Sequence, residues 1–301
     1  MSLKIEEISK FYGKQKALDR ISLSVNSGEI VGILGPNGAG KTTMMKIITG
    51  FLHPDEGKVW VNDLSNTGNT LQIRRQIGYL PENNPLYLDL YVTEYLSLVA
   101  GIYHLKGAKS LIKQIIELTG LEREKHKMIG ALSKGYRQRI GIAQALIHDP
   151  SILILDEPTS GLDPSQIVEI RKLILSISSN KTVLLSTHIM QEAEAICDRI
   201  IILNQGKIVA DDTTGNIKTL TSASTQKVMV EFAETVTAEA LVGIHGVSKV
   251  QAVAEKTWMV FGGDADLRPV IFRYAVSKGL TILTLTQQES SLENVFLEIV
   301  K

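Results

Sequence analysis

The feature that most constrains this chain is a glycine-rich segment, Gly35–Thr43, which follows the apolar run Ile30–Leu34 and opens the helical pattern Lys41–Ile48. The segment has the spacing G-x-x-x-x-G-K-[ST]. Gly38 and Gly40 can adopt backbone angles closed to other residues, which lets consecutive N–H groups point at phosphate oxygens. The N-terminus of the following helix aims its partial positive charge at the same anion. A plain glycine-rich turn is the competing interpretation, but a strand before and a helix after it favour a nucleoside triphosphate site.

Two side chains of this segment have separate predicted tasks. Lys41 supplies a point charge for the β- and γ-phosphates, and the Thr42 hydroxyl can ligate Mg²⁺. The residues of the segment that are predicted to bind the nucleotide are Gly35, Pro36, Asn37, Gly38, Ala39, Gly40, Lys41, Thr42 and Thr43.

A second candidate site lies at Ile152–Glu157, where four apolar residues are followed by two carboxylates. A fully apolar run is typical of a central parallel strand that is buried on both faces. The carboxyl ends of such strands are where α/β sheets bind ligands. Asp156 can therefore hold Mg²⁺ directly or through a water, and Glu157 can orient and deprotonate an attacking water.

Three further residues each have a functional and an ordinary interpretation. Tyr12 is either a packing tyrosine or an aromatic platform for a purine ring. Ser133 is either a plain helix cap or part of a second helix N-terminus that is offered to an anion. His188 follows the buried strand Lys181–Thr187, and it is either a surface residue or a sensor of the γ-phosphate.

The remaining pattern predicts the organisation of the chain. Helical periodicity from 86 to 119, in segments broken at Gly101 and at Lys106-Gly107, indicates an inserted helical subdomain, about 83–145. After a Ser/Thr-rich stretch, 213–225, which we read as a short helix plus a linker, the pattern restarts as a small α+β unit. We predict an α/β fold with a P-loop NTPase core, an antiparallel β subdomain and the helical subdomain over 1–220, and an accessory α+β domain over 221–301. Predicted strands are 3–8, 21–25, 30–34, 58–62, 77–80, 152–156, 181–187, 199–203, 207–210, 227–233, 247–253, 257–262 and 281–286, and predicted helices are 41–48, one opening at 131–139, 166–178, 189–197, 237–244, 265–278 and 290–299.

Composition excludes several classes of function. The 301 residues are 44% apolar, which is enough for a sizeable core, and 32 basic residues balance 32 acidic ones, so no global field attracts nucleic acid. The single cysteine, Cys197, cannot form an intramolecular disulfide and is predicted to be a buried, inert thiol. The N-terminus has no signal-peptide core, and no apolar run approaches the ~18 residues of a membrane span. We therefore expect a protein that is soluble by itself.

Taken together, these motifs and their order resemble those of the ATP-binding subunits of ABC transporters. Gly35–Thr43 is similar to the Walker A motif, Ile152–Asp156 to Walker B, Ser133–Tyr136 to the signature motif and Ser160–Asp163 to the D-loop. The resemblance covers about residues 1–220.

The resemblance implies a role for each matching residue. Tyr12 takes the adenine-stacking position, and His188 that of the switch histidine. Ser133 and Gly135 would meet the phosphate of the ATP held by a second copy, and Asp163 would link the two sites. Thr42, Asp156 and Glu82 would hold Mg²⁺.

Two departures from the common pattern stand out. Glu82 replaces a glutamine, which keeps an oxygen for Mg²⁺ but adds a negative charge. Lys134 and Tyr136 replace a glycine and a glutamine of the signature motif, while Ser133 and Gly135 are kept. We expect ATP turnover to survive both changes.

The C-terminal segment 291–298 resembles the accessory domain of exporter-type (ABC-2) subunits. Segments 77–91, 132–139 and 186–198 resemble the gliding-motility-associated ATP-binding subunits of Bacteroidetes. The resemblance implies an ATP-sandwiched homodimer that drives integral-membrane permease subunits from the cytoplasmic face of the cell membrane, with ATP and Mg²⁺ and without nucleic acid. The alternative is a soluble ABC ATPase acting on ribosomes or nucleic acid; such proteins usually carry two ATP-binding modules, coiled coils or zinc motifs, which this sequence lacks.

Overall fold

The computed structural model describes residues 2–66, 70–220, 226–263 and 265–288. Chain contacts divide it into two compact units, Met1–Thr214 and Gly215–Lys301. The predicted helix 290–299, the segment 291–298 and the predicted linker 221–225 lie outside the described residues. Among those described, no helix is long and apolar enough to cross a membrane.

A mainly parallel sheet forms the centre of the first unit. Among the described residues it has six strands in the order β10-β9-β3-β8-β7-β6, with β10 antiparallel to β9 at one edge. The strand before the glycine-rich segment, β3, lies between β9 and β8 and is wholly buried. Its strands are β3 Ile30–Leu34, β6 Ile77–Leu80, β7 Ile152–Asp156, β8 Thr182–Thr187, β9 Arg199–Asn204 and β10 Lys207–Thr213.

A second, antiparallel sheet has the order β2-β1-β4-β5 within the described ranges. Its strands are β1 Leu3–Tyr12, β2 Gln15–Val25, β4 Glu56–Val61 and β5 Leu64–Ser65. The predicted strands at 3–8 and 21–25 are too short, because the hydrophilic stretch on both sides of Gly13 also pairs, through backbone bonds that any side chain permits. Bulges and the left-handed backbone of Glu7 and Arg20 accompany this pairing.

Helix α1, Lys41–Ile48, joins the two sheets into one core. Its buried Met44, Met45, Ile47 and Ile48 cluster with apolar side chains of β1, β2 and β4 on one side and of β3, β7 and β9 on the other. Each such side chain contributes about 1.5–3 kcal/mol through burial. The core therefore fixes the helix whose N-terminus closes the glycine-rich segment.

The helical subdomain contains α3 Val92–Ile102, α4 Ala108–Leu118, a short 3-10 turn and α5 Lys134–Leu146, which pack around Leu96, Ile116 and Ile140. The predicted break at Gly101 is confirmed to within one residue, because α3 ends at Ile102. The break at Lys106-Gly107 is confirmed, since Gly107 adopts φ +69 as the N-cap of α4.

Six further helices complete the set in the described part of the chain. They are α2 Thr70–Gln76, α6 Pro164–Ser178, α7 Met190–Ile196, α8 Thr214–Leu220, and α9 and α10, whose ranges are given with the second unit below. Helix α2 and the short strand β5 were not predicted, because residues 64–76 show only a weak apolar pattern.

The second unit is the predicted α+β arrangement. Its sheet has the order β12-β13-β11-β14 within the described residues. Val228, Val230 and Phe232 of the sheet pack with Ile271 and Ala275 of the long helix. The elements are β11 Gln226–Phe232, α9 Ala238–Val242, β12 Val247–Ala254, β13 Thr257–Gly262, α10 Arg268–Lys278 and β14 Ile282–Gln288.

Candidate nucleotide site

The glycine-rich segment has the backbone that its sequence predicts. Gly38 and Gly40 have φ values of +81 and +108, which non-glycine residues rarely adopt. A Cβ on Gly40 would lie 2.6 Å from the Ala17 carbonyl oxygen, and one on Gly35 would lie 2.3 Å from that of Leu203. The segment is thus wrapped so closely by its neighbours that only glycine fits at these positions.

The turn between β9 and β10 contributes to this wrapping. The Gly206 N–H donates to the Ala39 carbonyl oxygen at 3.0 Å, and the Gly206 carbonyl accepts from the Asp19 N–H at 2.8 Å. One hairpin turn therefore ties the glycine-rich segment to β2.

Lys41 lies beneath this segment and is only 6% exposed. Its Nζ donates to the carbonyl oxygens of Gly35 at 2.8 Å and Pro36 at 3.3 Å, and lies 3.6 Å from Glu157 Oε1. The ammonium group therefore joins the glycine-rich segment to the carboxylate that follows β7.

A cavity of about 400 Å³ opens beside the glycine-rich segment. Tyr12, which is 51% exposed at the end of β1, forms one part of its wall, and Glu82 and Glu157 form another. The lining residues are Tyr12, Gln15, Ala17, Asn37, Gly38, Ala39, Gly40, Lys41, Thr42, Thr43, Glu82 and Glu157.

Asp156 is completely buried at the carboxyl end of β7. Its Oδ1 accepts from the Ser186 hydroxyl at 2.5 Å, whereas its buried Oδ2 has no partner among the described residues. An unpaired buried carboxylate oxygen is costly. This oxygen is consequently a candidate ligand for a cation.

Glu157 has an unusual backbone for its residue type. Its φ of +51 is left-handed, and its N–H donates to both the carbonyl oxygen and the hydroxyl of Ser186, at 3.2 and 3.0 Å. Non-glycine residues in this region are uncommon and cluster at functional sites. The strained backbone is therefore a second sign, besides its position after β7, that Glu157 belongs to a functional site.

His188 lies against this carboxylate. Its Nδ1 is 2.8 Å from Glu157 Oε2, and its side chain is 48% exposed. The structure therefore brings together the histidine, the glutamate and the lysine that were predicted separately.

Glu82 follows β6 and lines the cavity together with Glu157. Burial, and then the charges of Asp156 and Glu82, raise the pKa of the Tyr79 hydroxyl above its ordinary value.

Ser133, Gly135 and Asp163 are absent from the described lining of this cavity. Ser133 is the N-cap of α5 and accepts from the Tyr136 N–H at 3.4 Å. Asp163 is the N-cap of α6, where hydrogen bonds from the Ser165 hydroxyl and the Gln166 N–H hold its pKa below the usual range.

These residues form a second cluster. A Cβ on Gly135 would lie 2.7 Å from the Gln166 side chain, and one on Gly161 would lie 2.3 Å from Lys134 Nζ. The start of α5 and the loop before α6 are therefore in direct contact.

Three residues of the first site were not predicted. Ser186 binds both Asp156 and the Glu157 N–H, and Gln15 and Ala17 line the cavity. For Ser186 the available signal was a polar pair, Ser186 and Thr187, after the apolar run Val183–Leu185. For Gln15 and Ala17 the sequence offers no comparable signal.

Comparison with known proteins gives a consistent result. The family model described as ABC transporter matches residues 18–160. The bacitracin transport ATP-binding protein BcrA of Bacillus licheniformis is 33% identical, over 99% of this chain and 97% of that protein. The Nod factor export ATP-binding protein I of Burkholderia lata is 36% identical over 68% of each chain.

The structure also matches solved ones. The ATP-binding cassette MJ0796, as a dimer in a post-hydrolysis state with ADP and Pi, superposes with a TM-score of 0.65 at 29% identity, covering 70% of this chain and 98% of the cassette.

Proposed function

Because this chain belongs to the ABC transporter family, as an ATP-binding subunit and an ATPase, we propose that it hydrolyses ATP in the 400 Å³ cavity to drive a separate membrane permease. One observation carries the proposal. Glu157 contacts His188 and Lys41 at the edge of a cavity that is lined by the glycine-rich segment.

ATP binding depends on the glycine-rich segment, Gly35–Thr43, and on Tyr12 in another part of the cavity wall. Lys41 and the backbone N–H groups of residues 38–42 hold the β- and γ-phosphates. The half-exposed Tyr12 ring stacks on the adenine. Lys41 exchanges its carbonyl partners for phosphate oxygens.

Hydrolysis uses Glu157 and His188. A water oxygen forms a bond to the γ-phosphorus, the bond to the β–γ bridging oxygen breaks, and ADP and phosphate leave. Glu157 accepts the proton of that water, and its contact with Lys41 orients the carboxylate. His188 steadies both the carboxylate and the γ-phosphate.

Mg²⁺ fits the oxygens at this site. Asp156 Oδ2, which has no partner within the described ranges, the Thr42 hydroxyl and the Glu82 carboxylate are hard oxygen ligands of the kind Mg²⁺ prefers. When bound, the ion neutralises phosphate charge.

The second cluster suggests how two copies meet. Ser133 and Gly135 are at a helix N-terminus and are not among the described lining residues of their own cavity, and we infer that they meet the γ-phosphate of ATP held by a second copy. Asp163 neighbours them through Gln166 and links the two sites. MJ0796 is a dimer with ADP and Pi, which supports a head-to-tail homodimer.

The partner and the direction follow from resemblance. One relative is a bacitracin transport protein and another a Nod factor export protein, which supports an exporter. We infer a role on the cytoplasmic face of the membrane, attached through the permease, with a gliding-motility export system as the finer assignment. We also infer that the accessory domain begins near residue 221. The alternative to the transporter function is that of a soluble ABC ATPase acting on ribosomes or nucleic acid.

Affinity capture of the tagged, full-length protein from detergent-solubilised membranes tests this function. We expect a multi-spanning permease to co-purify, whereas a Lys41→Ala variant is expected to keep the partner without turnover. Recovery of ribosomes or nucleic acid without any membrane protein would favour the soluble rival.

A further inference from the structure

A buried glutamate lies behind the proposed hydrolytic group. Glu192, in the first turn of α7, is only 3% exposed. Glutamate is rarely buried to this degree unless it is paired, yet Glu192 forms no ion pair within the described ranges. Its burial therefore needs another explanation.

Its contacts are with two threonines that are themselves buried. Glu192 Oε2 accepts from the Thr159 hydroxyl, and from the Thr187 hydroxyl at 3.2 Å. The Thr187 hydroxyl accepts in turn from the Ile189 N–H at 3.1 Å. One carboxylate oxygen thus accepts hydrogen bonds from both hydroxyl groups.

The two threonines belong to the two loops that carry the hydrolytic pair. Thr159 lies two residues after Glu157, in a turn closed by the Ser160 N–H on the Glu157 carbonyl oxygen at 3.1 Å. Thr187 directly precedes His188. Glu192 therefore connects, through Thr159 and Thr187, the same two loops that the contact between Glu157 and His188 connects.

Burial of the Glu192 carboxylate lowers the stability of the fold and so is not explained by folding alone. Glu192 Oε1 is buried and has no partner in the described part of the chain, and a buried oxygen left unpaired lowers stability. An apolar side chain would fill this volume without that cost. The carboxylate is explained if it serves to set the geometry of the two loops.

We propose that Glu192 is a positioning residue that holds the Glu157 and His188 loops at the spacing required for ATP hydrolysis. The proposal rests on the proposed function of the cavity. A purely structural role, in which Glu192 only stabilises the start of α7 through the helix dipole, is the alternative.

The first experiment compares Glu192→Ala and Thr159→Val with the wild-type chain, and uses Gln191→Ala, an exposed neighbour on the same helix, as the matched control. We expect kcat for ATP to fall about 10- to 100-fold in both variants, since small misplacements of reacting groups have effects of that size. KM and the Kd for ATP should stay within about threefold. Thr159→Ser, which restores the hydroxyl, should recover most of kcat, and Gln191→Ala should match the wild type.

The second experiment places Glu192→Ala in a His188→Ala background. Because Glu192 acts on both loops, the second substitution should still reduce kcat, but by a smaller factor than in the wild-type background, since the part that depends on His188 is already lost. A Tm loss without a change in kcat, a rise in KM alone, or full additivity with His188→Ala would each overturn the proposal. Should wild-type protein have no ATPase activity, it is the proposed function that fails, whereas an active wild type with an unaffected Thr159→Val variant defeats only the positioning role.

Discussion

Glu157 Oε2 and His188 Nδ1 are 2.8 Å apart, although 31 positions separate them in the chain. The pairing depends on β7 and β8 being neighbours in the parallel sheet, so that residues after each strand meet at one edge. The other oxygen of the same carboxylate is 3.6 Å from Lys41 Nζ. One side chain thus contacts both the end of β8 and the start of α1.

Glu157→Gln should abolish turnover while leaving ATP binding intact. The amide keeps the shape of the side chain but cannot accept the proton of the attacking water, and loss of a general base costs about 10²- to 10⁴-fold in rate. Phosphate release measures turnover, and a sizing column measures the ATP-stabilised dimer that we expect to accumulate. Glu122→Gln, at an exposed site, is the control; a Glu157→Gln protein that stays monomeric with ATP would contradict the head-to-tail dimer.

Tyr12→Ala should weaken ATP binding by roughly tenfold, with Tyr12→Phe close to the wild type. Stacking of a base on an aromatic ring contributes about 1–3 kcal/mol, and phenylalanine keeps the ring without the hydroxyl. Titration with a fluorescent ATP analogue gives both affinities. Equal affinities for the alanine variant and the wild type would remove Tyr12 from the site.

Glu82→Gln should raise the Mg²⁺ concentration needed for half-maximal ATPase activity several-fold, and kcat should change by less than about threefold. The substitution removes one negative charge from the wall of the cavity, which weakens the attraction for a divalent cation. Chelation of Mg²⁺ should stop turnover in both proteins. An unchanged metal requirement would show that Glu82 is not near the ion.

His148 should make the protein less stable in mild acid. The Ile77 carbonyl oxygen can only accept a hydrogen bond, so Nε2, 3.1 Å away, carries the proton, and the buried Nδ1 has no partner among the described residues. Burial holds the pKa of His148 below its ordinary value of 6.5. The unfolded chain therefore binds a proton more readily, so stability is full above about pH 6.5 and falls as the pH drops towards the folded pKa.

Thermal melts at about pH 7.5 and about pH 5.5 measure this effect. His148→Phe, which keeps an aromatic ring to stack on Tyr103, should show a smaller loss of Tm between these pH values than the wild type. His126→Gln, at an exposed position, should lose as much Tm as the wild type. A His148→Phe protein with the wild-type loss would show that this histidine does not titrate on unfolding.

Much of the fold could be predicted because several strands are buried on both faces. Ile152–Asp156 and Thr182–Thr187 have no exposed face, and an apolar run, Ile152–Leu155 in the first and Val183–Leu185 in the second, marks each of them. The glycine-rich segment was equally clear, since close contacts from Leu203 and Ala17 permit only glycine. The structure confirms the left-handed backbone expected at Gly38 and Gly40.

What the sequence could not predict depends on contacts between distant residues. The pairing of Gln15–Val25 with β1 uses backbone groups, and its hydrophilic half carries no apolar signal. Glu192 looks like an ordinary polar residue in the first turn of a helix, and only the packing of Thr159 and Thr187 around it reveals its burial.

The hydrogen bond between Gly206 and Ala39 has a consequence for biosynthesis. The ribosome makes the glycine-rich segment early, but β9 and the turn that follows it are made much later. Because β3 also needs β8 and β9 on its two sides, the emerging N-terminal portion cannot complete its binding loop alone. A nascent chain that stops short of Gly206 should therefore neither retain ATP nor be stabilised by ATP against unfolding. A truncated product should likewise not compete with the finished subunit for nucleotide or for a partner.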